Sequence, residues 1–347
     1  MVDVWTTGVS LPRLATRLAQ RAEADGFDGM VVVDSQNLAG DCYVALAMAA
    51  RDTTRLKLGT GVTNPFTRHP AVTASAIASI QAESAGRAVL GIGRGDSSLA
   101  HLGLAPAPVK VFERYLERVQ AYLRGEEIPF AADDTEDGTP VASLELAATP
   151  RSSQLHWLRP DQPKVPVEVA ASGPKVIRVA ARLADRVMLA VGADPDRVRW
   201  GMGLARTVRE DVPVGAYVNV VANPDVEAAR RLARGGMSTF ARFNVMHGTT
   251  HGPVDESARA VLDRLHDAYD MRVHTRLDSP QAAELSPEFV DRFGIAGPSA
   301  YCVDRLDALV ELGLEKLIIV GASLGAGREE MLDASARFVE EVLPALR

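Results

Sequence analysis

The chain has 347 residues, of which 47% are apolar and 24% are charged, a balance that is ordinary for a globular protein. Its 45 aspartate and glutamate residues outnumber its 38 lysine and arginine residues, so the formal net charge is -7. This acidic balance argues against nucleic acid as the main partner, while a local basic pocket for a phosphorylated small molecule remains open.

The two cysteines and the N-terminal residues indicate the cellular compartment. Cys42 and Cys302 are far apart and outside any CxxC pattern, which favours two buried thiols in a reducing environment over a disulfide. The N-terminal MVDVWTTGVSLP lacks a basic segment followed by an apolar run, and no window approaches 18 uninterrupted apolar residues. We therefore expect a cytoplasmic protein with neither a signal peptide nor a membrane span.

Short apolar or β-branched runs alternate with longer amphipathic stretches along the whole chain. Most of these runs are apolar throughout rather than alternating, as in a parallel sheet that is buried on both faces. Eight of them are predicted as strands: VDVWTT (2–7), GMVVVD (29–34), LKLGTGV (56–62), RAVLGIG (87–93), PVEVAA (166–171), RVMLAV (186–191), PVGAYVNVV (213–221) and KLIIVG (316–321).

Helical patterns separate these strands, with apolar residues three and four positions apart. Clear examples are LATRLAQRAEADG (14–26), AVTASAIASIQAESAG (71–86) and PKVIRVAARLAD (174–185). Eight βα units predict a fold of the α/β class, a closed (β/α)8 TIM barrel, and a doubly wound open sheet is the alternative.

Two stretches exceed the repeating unit. One covers residues 125–165 and contains FAADDTEDGTP; the other covers 244–297, with a helix predicted near 256–268. We interpret both as following strands, and therefore expect both to extend the C-terminal rim of a single barrel domain that spans residues 1–347.

In a (β/α)8 barrel the active site is built from loops at the C-terminal ends of the strands. Four adjacent predicted strands end in glycine, small polar residues and acids, where a ligand can approach the backbone closely. These ends are Asp34 and Ser35 after the second strand, 61–64 after the third, 93–97 after the fourth and 170–175 after the fifth.

The turn ASGPK (171–175) has the chemistry of an anion site. Gly173 permits an unusual turn, Pro174 suits the first helical position, and free N–H groups at a helix start can hold an anion. Lys175 adds a positive charge. The motif alone leaves a phosphate cradle and an ordinary strand-to-helix turn equally open. By contrast, GIGRGD (91–96) departs from the GxGxxG fingerprint, so no nicotinamide Rossmann site is expected.

Other polar residues carry weaker signals. His247 and His251 are four residues apart, but HGTTHGP is typical of a loop and lacks the HExxH glutamate, so no metal site is predicted. Asp96 is either a proton donor or a helix N-cap, and as an isolated residue the cap is favoured. Arg68 and His69 either recognise a substrate anion or pack and cap the start of the next helix.

The segment LGTGVTNPFTRHPAVTASAIASIQAESAGRAVLGIGRGDS (58–97) resembles the bacterial luciferase-like superfamily. It is similar to the branch that uses the deazaflavin coenzyme F420, including methylenetetrahydromethanopterin reductase and F420-dependent glucose-6-phosphate dehydrogenase. PVEVAASGPKVIRVAARLADRVMLAVGADPDRV (166–198) and GPSAYCVDRLDALVELGLEKLIIVG (297–321) continue the resemblance. The resemblance covers most of the chain and is weakest in the two insertions.

The resemblance implies a non-prolyl cis peptide in a bulge after the third strand, pressed against the back of the deazaflavin ring. In this sequence that bond would join Gly61 to Val62, with Thr63 in the same bulge. The resemblance also implies that Asp34 and Asn64 contact the ring or its polyol tail.

Two further loops complete the coenzyme site that the resemblance implies. The loop after the fourth strand, with Gly93, Arg94 and Gly95, would lie over the ring edge. The loop after the fifth strand would receive the coenzyme's phosphate, through Ala171, Ser172, Gly173 and Lys175.

The sequence departs from these relatives at the catalytic positions. Ser35 and Asp96 stand where the glucose-6-phosphate dehydrogenases carry a histidine and a glutamate, so sugar-phosphate dehydrogenation is in doubt. The reductases have a glutamate at the end of the first strand, where this chain has Trp5, Thr6 and Thr7, so pterin reduction is in doubt too. Trp5 either lines a substrate pocket or packs in the core, and the sequence leaves both open.

The favoured function is therefore an F420-dependent oxidoreductase that transfers a hydride between the deazaflavin and a small organic substrate. Asp96 or a bound water would handle the proton, with Ser35 nearby. The alternatives are an FMN-dependent monooxygenase and a barrel without cofactor that acts as a binding protein. The resemblance also implies a homodimer; no metal, nucleic-acid or membrane partner is expected, and the sequence does not indicate the substrate.

Overall fold

A computed structural model describes residues 2–130 and 139–347, so part of the acidic FAADDTEDGTP segment lies outside the described residues. Successive parallel strands pair around the sheet, and the last pairs with the first, with Ile318 opposite Trp5. The predicted closed barrel is confirmed, and the open-sheet alternative is wrong. The barrel strands are β1 (Asp3–Gly8), β2 (Gly29–Val32), β3 (Lys57–Thr60), β4 (Ala88–Ile92), β5 (Val167–Ala171), β6 (Arg186–Leu189), β7 (Val214–Ala222) and β8 (Lys316–Val320).

Helices cover the outside of the barrel, and several begin at signals that the sequence supplies. The Asp41 carboxylate accepts hydrogen bonds from the N–H groups of Tyr43 and Val44, while Pro70 and Pro174 occupy first helical positions. The helices are α1 (Leu14–Ala24), α2 (Cys42–Asp52), α3 (Pro70–Glu83), α4 (Ser97–Ala100), α5 (Val109–Leu123), α6 (Pro174–Leu183), α7 (Pro195–Arg206), α8 (Val226–Phe243), α9 (Glu256–Asp267), α10 (Pro280–Ala283), α11 (Pro287–Phe293), α12 (Ser299–Glu311) and α13 (Arg328–Arg337).

Trp5 fills the interior of the barrel. Its side chain is 0% exposed and belongs to an apolar cluster with Val31, Tyr217 and Ile318. A Cβ at Gly29 would lie 2.4 Å from the indole ring, so this glycine makes room for the tryptophan. Trp5 therefore packs in the core, and the interpretation of Trp5 as a pocket-lining residue is wrong.

A buried ion pair lies beside this tryptophan. Lys316 Nζ is 2.8 Å from Glu168 Oε2 and 3.1 Å from the centroid of the Trp5 ring. Burial lowers the pKa of Lys316 to about 8, although the Glu168 carboxylate acts in the opposite direction. We call Trp5, Glu168 and Lys316 the barrel floor.

The first insertion does not extend the C-terminal rim. The described residues of this insertion, 125–130 and 139–165, follow α5 and precede β5, so they join a helix to a strand and lie at the N-terminal end of the barrel. Gln162 donates to the carbonyl of Ala78 near the end of α3, and Lys164 pairs with Asp185 just before β6, at 2.6 Å. The prediction was wrong because α5 completes the βα unit before the insertion begins.

The second insertion does extend the rim, and it starts earlier than predicted. α8 belongs to it, because the carbonyl of Phe243 accepts from Ser172 Oγ after β5, at 2.8 Å, and Asn244 Nδ2 donates to Ala190 O after β6, at 3.1 Å. Its helices form a separate apolar cluster. α9 confirms the helix predicted near 256–268.

The cysteines agree with the sequence prediction. Cys42 and Cys302 are both buried and neither forms a disulfide. Burial raises the pKa of Cys302 to about 11, which disfavours the thiolate. None of the helices in the described part of the chain has the length and apolar character needed to cross a bilayer.

Candidate active site at the C-terminal mouth

The end of β3 forms a bulge against its two neighbouring strands. Gly61 N donates to Val32 O at 2.7 Å, and Thr63 N donates to Gly91 O at 3.0 Å. The peptide bond between Gly61 and Val62 is cis, at the position where the resemblance implies such a bond.

The side chain of Val62, which follows the cis bond, contributes to an apolar surface at the open end of the barrel. Val62, Ala170, Phe240 and Val320 are partly buried and pack on the interior cluster around Trp5. We call these four residues the apolar platform. A Cβ at Gly93 would lie 3.1 Å from Val62 Cγ2, so this glycine lets the end of β4 approach the bulge closely.

Asp34 supports the bulge from within the protein. It is 2% exposed, and its Oδ2 accepts hydrogen bonds from Thr63 Oγ1 and Arg68 Nη1, each at 2.7 Å. Arg68 also pairs with Asp41 at 2.7 Å and lies over the ring of Tyr43. Burial opposes the charge of Arg68, but the two carboxylates raise its pKa. The interpretation of Arg68 as a receptor for a substrate anion is therefore wrong.

The Asn-Pro turn after the bulge is held by its own asparagine. Asn64 is 0% exposed; its Oδ1 accepts from the N–H groups of Phe66 and Thr67 at 3.0 and 3.1 Å, and its Nδ2 donates to Ser98 Oγ at 3.3 Å. His69 Nδ1 then accepts from Ala71 N and caps α3, so the capping interpretation of His69 is confirmed.

In the loop after β4, the side chain of Asp96 makes other contacts than those that the N-cap interpretation predicts. Arg94 Nε donates to Ala107 O at 2.5 Å, and Gly95 has φ of 88°, a conformation that favours glycine. The Asp96 side chain makes no capping hydrogen bond at α4. Instead its Oδ1 accepts from Arg242 Nη1 of α8, while its Oδ2 is buried without a hydrogen-bond partner in the described part of the chain. The N-cap interpretation of Asp96 is therefore wrong.

Arg242 is itself held in place by residues of the rim. Its guanidinium lies 4.7 Å from the centroid of the Tyr269 ring, and the Tyr269 hydroxyl shares a 2.8 Å hydrogen bond with His274 Nδ1. Burial raises the pKa of Tyr269 to about 12 and lowers that of His274 to about 4. Between about pH 4 and pH 12 the neutral phenol and the neutral imidazole therefore predominate.

A cavity of about 440 Å³ opens beside Asp96. This volume lies in the range of small-molecule binding sites. The rim insertion and the loop after β4 supply its polar lining: Asp96, Arg242, His247, His266 and Tyr269.

The loop after β5 presents backbone donors. Gly173 is the N-cap of α6 and has no side-chain cap, so the N–H groups of the first helical turn lack intrahelical acceptors. Lys175 is exposed and pairs with no carboxylate among residues 2–130 and 139–347. The Ser172 hydroxyl, by contrast, is occupied by the carbonyl of Phe243.

A buried arginine fixes the rim next to this loop. Arg197 is 3% exposed and donates to Asn244 Oδ1 at 2.8 Å, His251 O at 3.1 Å and Pro253 O at 3.0 Å. Burial lowers the pKa of Arg197 to about 10. The His251 ring lies 3.9 Å from the position of a Cβ on Gly173, whereas His247 lines the cavity. No group of three or more potential ligands in the described residues could hold a metal.

Ser35 lies at the edge of the site. It is half-buried, and its carbonyl accepts from the N–H groups of Leu38 and Ala39. Gln36 Nε2 donates to Ser98 O at 3.0 Å, which ties this turn to α4. The Ser35 hydroxyl therefore has no histidine or carboxylate partner among the described residues.

Comparison with known proteins identifies the family. Residues 4–316 match the model of the luciferase-like monooxygenase family. The chain belongs to this family. It is 27% identical over 340 residues to 5,10-methylenetetrahydromethanopterin reductase of Archaeoglobus fulgidus, covering 94% of this chain and 93% of that protein. It is 28% identical over 345 residues to F420-dependent glucose-6-phosphate dehydrogenase of Beutenbergia cavernae, with 94% and 91% covered.

Solved structures of the family share the fold. Coenzyme F420-dependent tetrahydromethanopterin reductase from Methanopyrus kandleri aligns with a TM-score of 0.75 at 21% identity, covering 100% of this chain and 99% of that one. An F420-dependent secondary alcohol dehydrogenase, solved with an F420–acetone adduct, aligns with a TM-score of 0.70 at 17% identity and the same coverage.

Several residues at the mouth of this luciferase-like barrel were missed at the level of sequence. Arg242, Tyr269, His274 and Arg197 belong to segments without a motif, and their pairing joins positions up to 146 residues apart. A buried arginine on the amphipathic helix α7 was the one available signal, because a charged residue on an apolar helix face usually has a buried partner.

Proposed function

We propose that this family member is an F420-dependent oxidoreductase that exchanges a hydride between the deazaflavin and a small organic substrate. Curated relatives that cover more than nine tenths of the chain are an F420-dependent dehydrogenase and a methylenetetrahydromethanopterin reductase. The observation that carries the proposal is the apolar platform, which lies at the same end of the barrel as the β3 bulge, the uncapped first turn of α6 and Asp96.

The residues at the mouth fit such a coenzyme. The apolar platform offers a surface for one face of a flat ring, and Gly321 at the end of β8 has no atoms within 4 Å of an added Cβ. The exposed Thr7 lines the same open end. A deazaflavin bound there would supply hydride exchange at its ring carbon.

We assign the phosphate of the coenzyme to the loop after β5. The N–H groups at the start of α6 point toward an anion held in line with the helix axis, and Lys175 adds a charge that has no competing carboxylate. Gly173 places no side chain over these donors, Ala171 is buried at the end of β5, and Ser172 fixes the loop to the rim through Phe243.

The residues of the other loops have supporting or catalytic roles in this proposal. Asp34, Thr63 and Asn64 hold the bulge that places Gly61 and Val62, and Asp34 Oδ1 is buried without a hydrogen-bond partner among the described residues. The residues from Gly93 to Gly95 border the ring edge and lead to Asp96.

Asp96 carries the proton in this assignment. Arg242 neutralises one carboxylate oxygen, and the other is buried without a partner among the described residues, so we assign to it the proton that is exchanged with a substrate. α8 excludes water from the interior below, because Phe240 packs on Tyr217 with ring centroids 5.7 Å apart. To Ser35, at the end of β2, we assign the secondary role of orienting a water.

Titration of the protein with F420 and with FMN in separate experiments tests the proposal. We expect F420 to bind at least tenfold more tightly, a difference of about 1.4 kcal/mol. Equal affinities, or flavin that copurifies in stoichiometric amount, would favour the monooxygenase. Failure of both to bind would favour a barrel that acts as a cofactor-free binding protein.

We also propose that the protein is a cytoplasmic homodimer. Its two unbonded thiols support a reducing compartment. Val44 and Met48 on α2 and Val72 on α3 are 65%, 49% and 54% exposed, and a partner would cover them. Sedimentation at micromolar concentration should give the dimer mass in the parent and the monomer mass after Met48→Glu; a monomeric parent would contradict the assignment.

A further inference from the structure

The cavity beside Asp96 has charges that cancel each other. Among the described residues that line it, Arg242 is the one permanent cation and Asp96 is the one carboxylate, and the two form an ion pair. The pair is largely removed from water, since the side chains are 18% and 13% exposed. A ligand in this cavity therefore meets no uncompensated charge.

Arg242 is also restrained from turning toward an incoming anion. The ring of Tyr269 covers its guanidinium, and the Tyr269 hydroxyl is fixed by His274 Nδ1 at 2.8 Å and Thr239 Oγ1 at 3.4 Å. An anion would have to compete with the Asp96 carboxylate for this arginine and leave a buried charge unpaired. Breaking such a buried pair is costly.

The rest of the wall combines the polar side chains of His247, His266 and Tyr269 with apolar ones. Leu104, Pro106, Met246 and Met271 line the cavity, and Leu104 is 48% exposed. Burial of this surface by an apolar ligand is favourable in proportion to the area removed from water. The Oδ2 atom of Asp96 is buried without a hydrogen-bond partner among the described residues, and a hydroxyl group that reached it would satisfy it.

We propose that this cavity is the substrate site and that it selects an uncharged molecule with an apolar body and one hydroxyl group, or the corresponding carbonyl compound. The Asp96–Arg242 pair, held by Tyr269 and His274, is the element that rejects anions such as sugar phosphates. This inference rests on the proposed function, which makes Asp96 the link between the cavity and the mouth.

Ligand-observed NMR with two probes, cyclohexanol and glucose 6-phosphate, tests the selectivity without coenzyme. The measurement is made at pH 8, where free imidazole is neutral. We expect saturation transfer to cyclohexanol and little to glucose 6-phosphate. Met271→Glu places a charge in the wall and should abolish the cyclohexanol signal. A parent protein that binds both probes equally, or an unchanged cyclohexanol signal in Met271→Glu, would overturn the proposal.

A gain of binding provides the sharper test. Asp96→Asn releases Arg242, so affinity for glucose 6-phosphate should rise at least tenfold relative to the parent. Asp278→Asn is the matched control, because it releases Arg276 from a surface pair outside the cavity. No gain in Asp96→Asn, or an equal gain in the control, would contradict the assigned role.

Titration of the same samples with F420 separates the two proposals. If F420 binds normally but the protein does not prefer cyclohexanol to glucose 6-phosphate, the proposed substrate site is wrong and the proposed function stands. If the protein prefers cyclohexanol but does not bind F420, the proposed function is wrong and the selectivity of the cavity is established.

Discussion

The floor and the mouth of the barrel use polar groups in opposite ways. At the floor, the charges of Lys316 and Glu168 face each other at 2.8 Å beneath a fully buried tryptophan. At the mouth, one oxygen of Asp96 is left without a partner, and the first turn of α6 leaves its donors uncapped. The floor therefore stabilises the fold, while the mouth retains binding capacity for a ligand.

The largest effect should come from removing one charge of the ion pair in the barrel floor. Lys316→Met leaves Glu168 buried, with Arg186 as its remaining partner at 3.5 Å. We expect the free energy of unfolding to fall by about 3–5 kcal/mol, toward the lower end because of Arg186. Chemical denaturation measures this loss. The double variant Lys316→Met with Glu168→Leu should recover much of it, and equal destabilisation of both variants would contradict the account.

The rim should make stability depend on pH through His274. Its pKa is about 4 in the folded protein, against an ordinary value near 6.5, because burial disfavours the imidazolium more than Asp96 favours it. The unfolded chain therefore binds the proton first. This contribution to stability is complete above about pH 6.5 and falls by about 3 kcal/mol as the pH drops to about 4.

His274→Gln should flatten this pH dependence, as measured by thermal unfolding from pH 4 to pH 7. Asp96, Arg242 and His101 act electrostatically on the same imidazole, and all three are unchanged in both proteins. His156 is exposed, and His156→Gln serves as the control that keeps the slope. An unchanged slope in His274→Gln would remove His274 from the explanation.

At the mouth, Asp96→Asn should separate chemistry from stability. The amide keeps the shape of the side chain and cannot act as a carboxylate base, so we expect turnover to fall about a hundredfold. F420 affinity should stay close to that of the parent. Steady-state rates with an accepted substrate measure the effect, and near-normal turnover would mean that the proton leaves by another route.

Lys175→Ala should have the smallest effect of this series, limited to the phosphate end of the mouth. Backbone donors remain, so we expect F420 binding to weaken by about 1–3 kcal/mol without a change in unfolding. Arg178→Ala removes an exposed charge one turn further along α6 and should leave the affinity unchanged. If both variants bind normally, the phosphate assignment is wrong.

The barrel strands could be predicted from the sequence, whereas the position of the first insertion could not. Strands buried on both faces have a local signature, and β1 and β5 were predicted to within one residue at each end. The placement of the first insertion at the C-terminal rim was wrong, because the continuation of α5 to Leu123 was not recognised.

The candidate site was predictable only in part. Glycines and acids at strand ends pointed to the bulge and to Asp96, since the topology alone brings strand ends together. The Asn64 contacts are local, because its side chain accepts from Phe66 N and Thr67 N within the Asn-Pro turn. The partner of Asp96 depends on tertiary packing, since Arg242 approaches it from a helix of the rim insertion and no local pattern encodes that contact.

The central claim, that the mouth is the cofactor site, is tested most directly by hydrogen–deuterium exchange with and without F420. We predict slower exchange in residues 61–64, 93–96 and 171–177, and unchanged exchange in residues 139–165 of the first insertion, at the opposite end of the barrel. Unchanged exchange at the mouth with saturating F420, or protection confined to the opposite end of the barrel, would contradict the account.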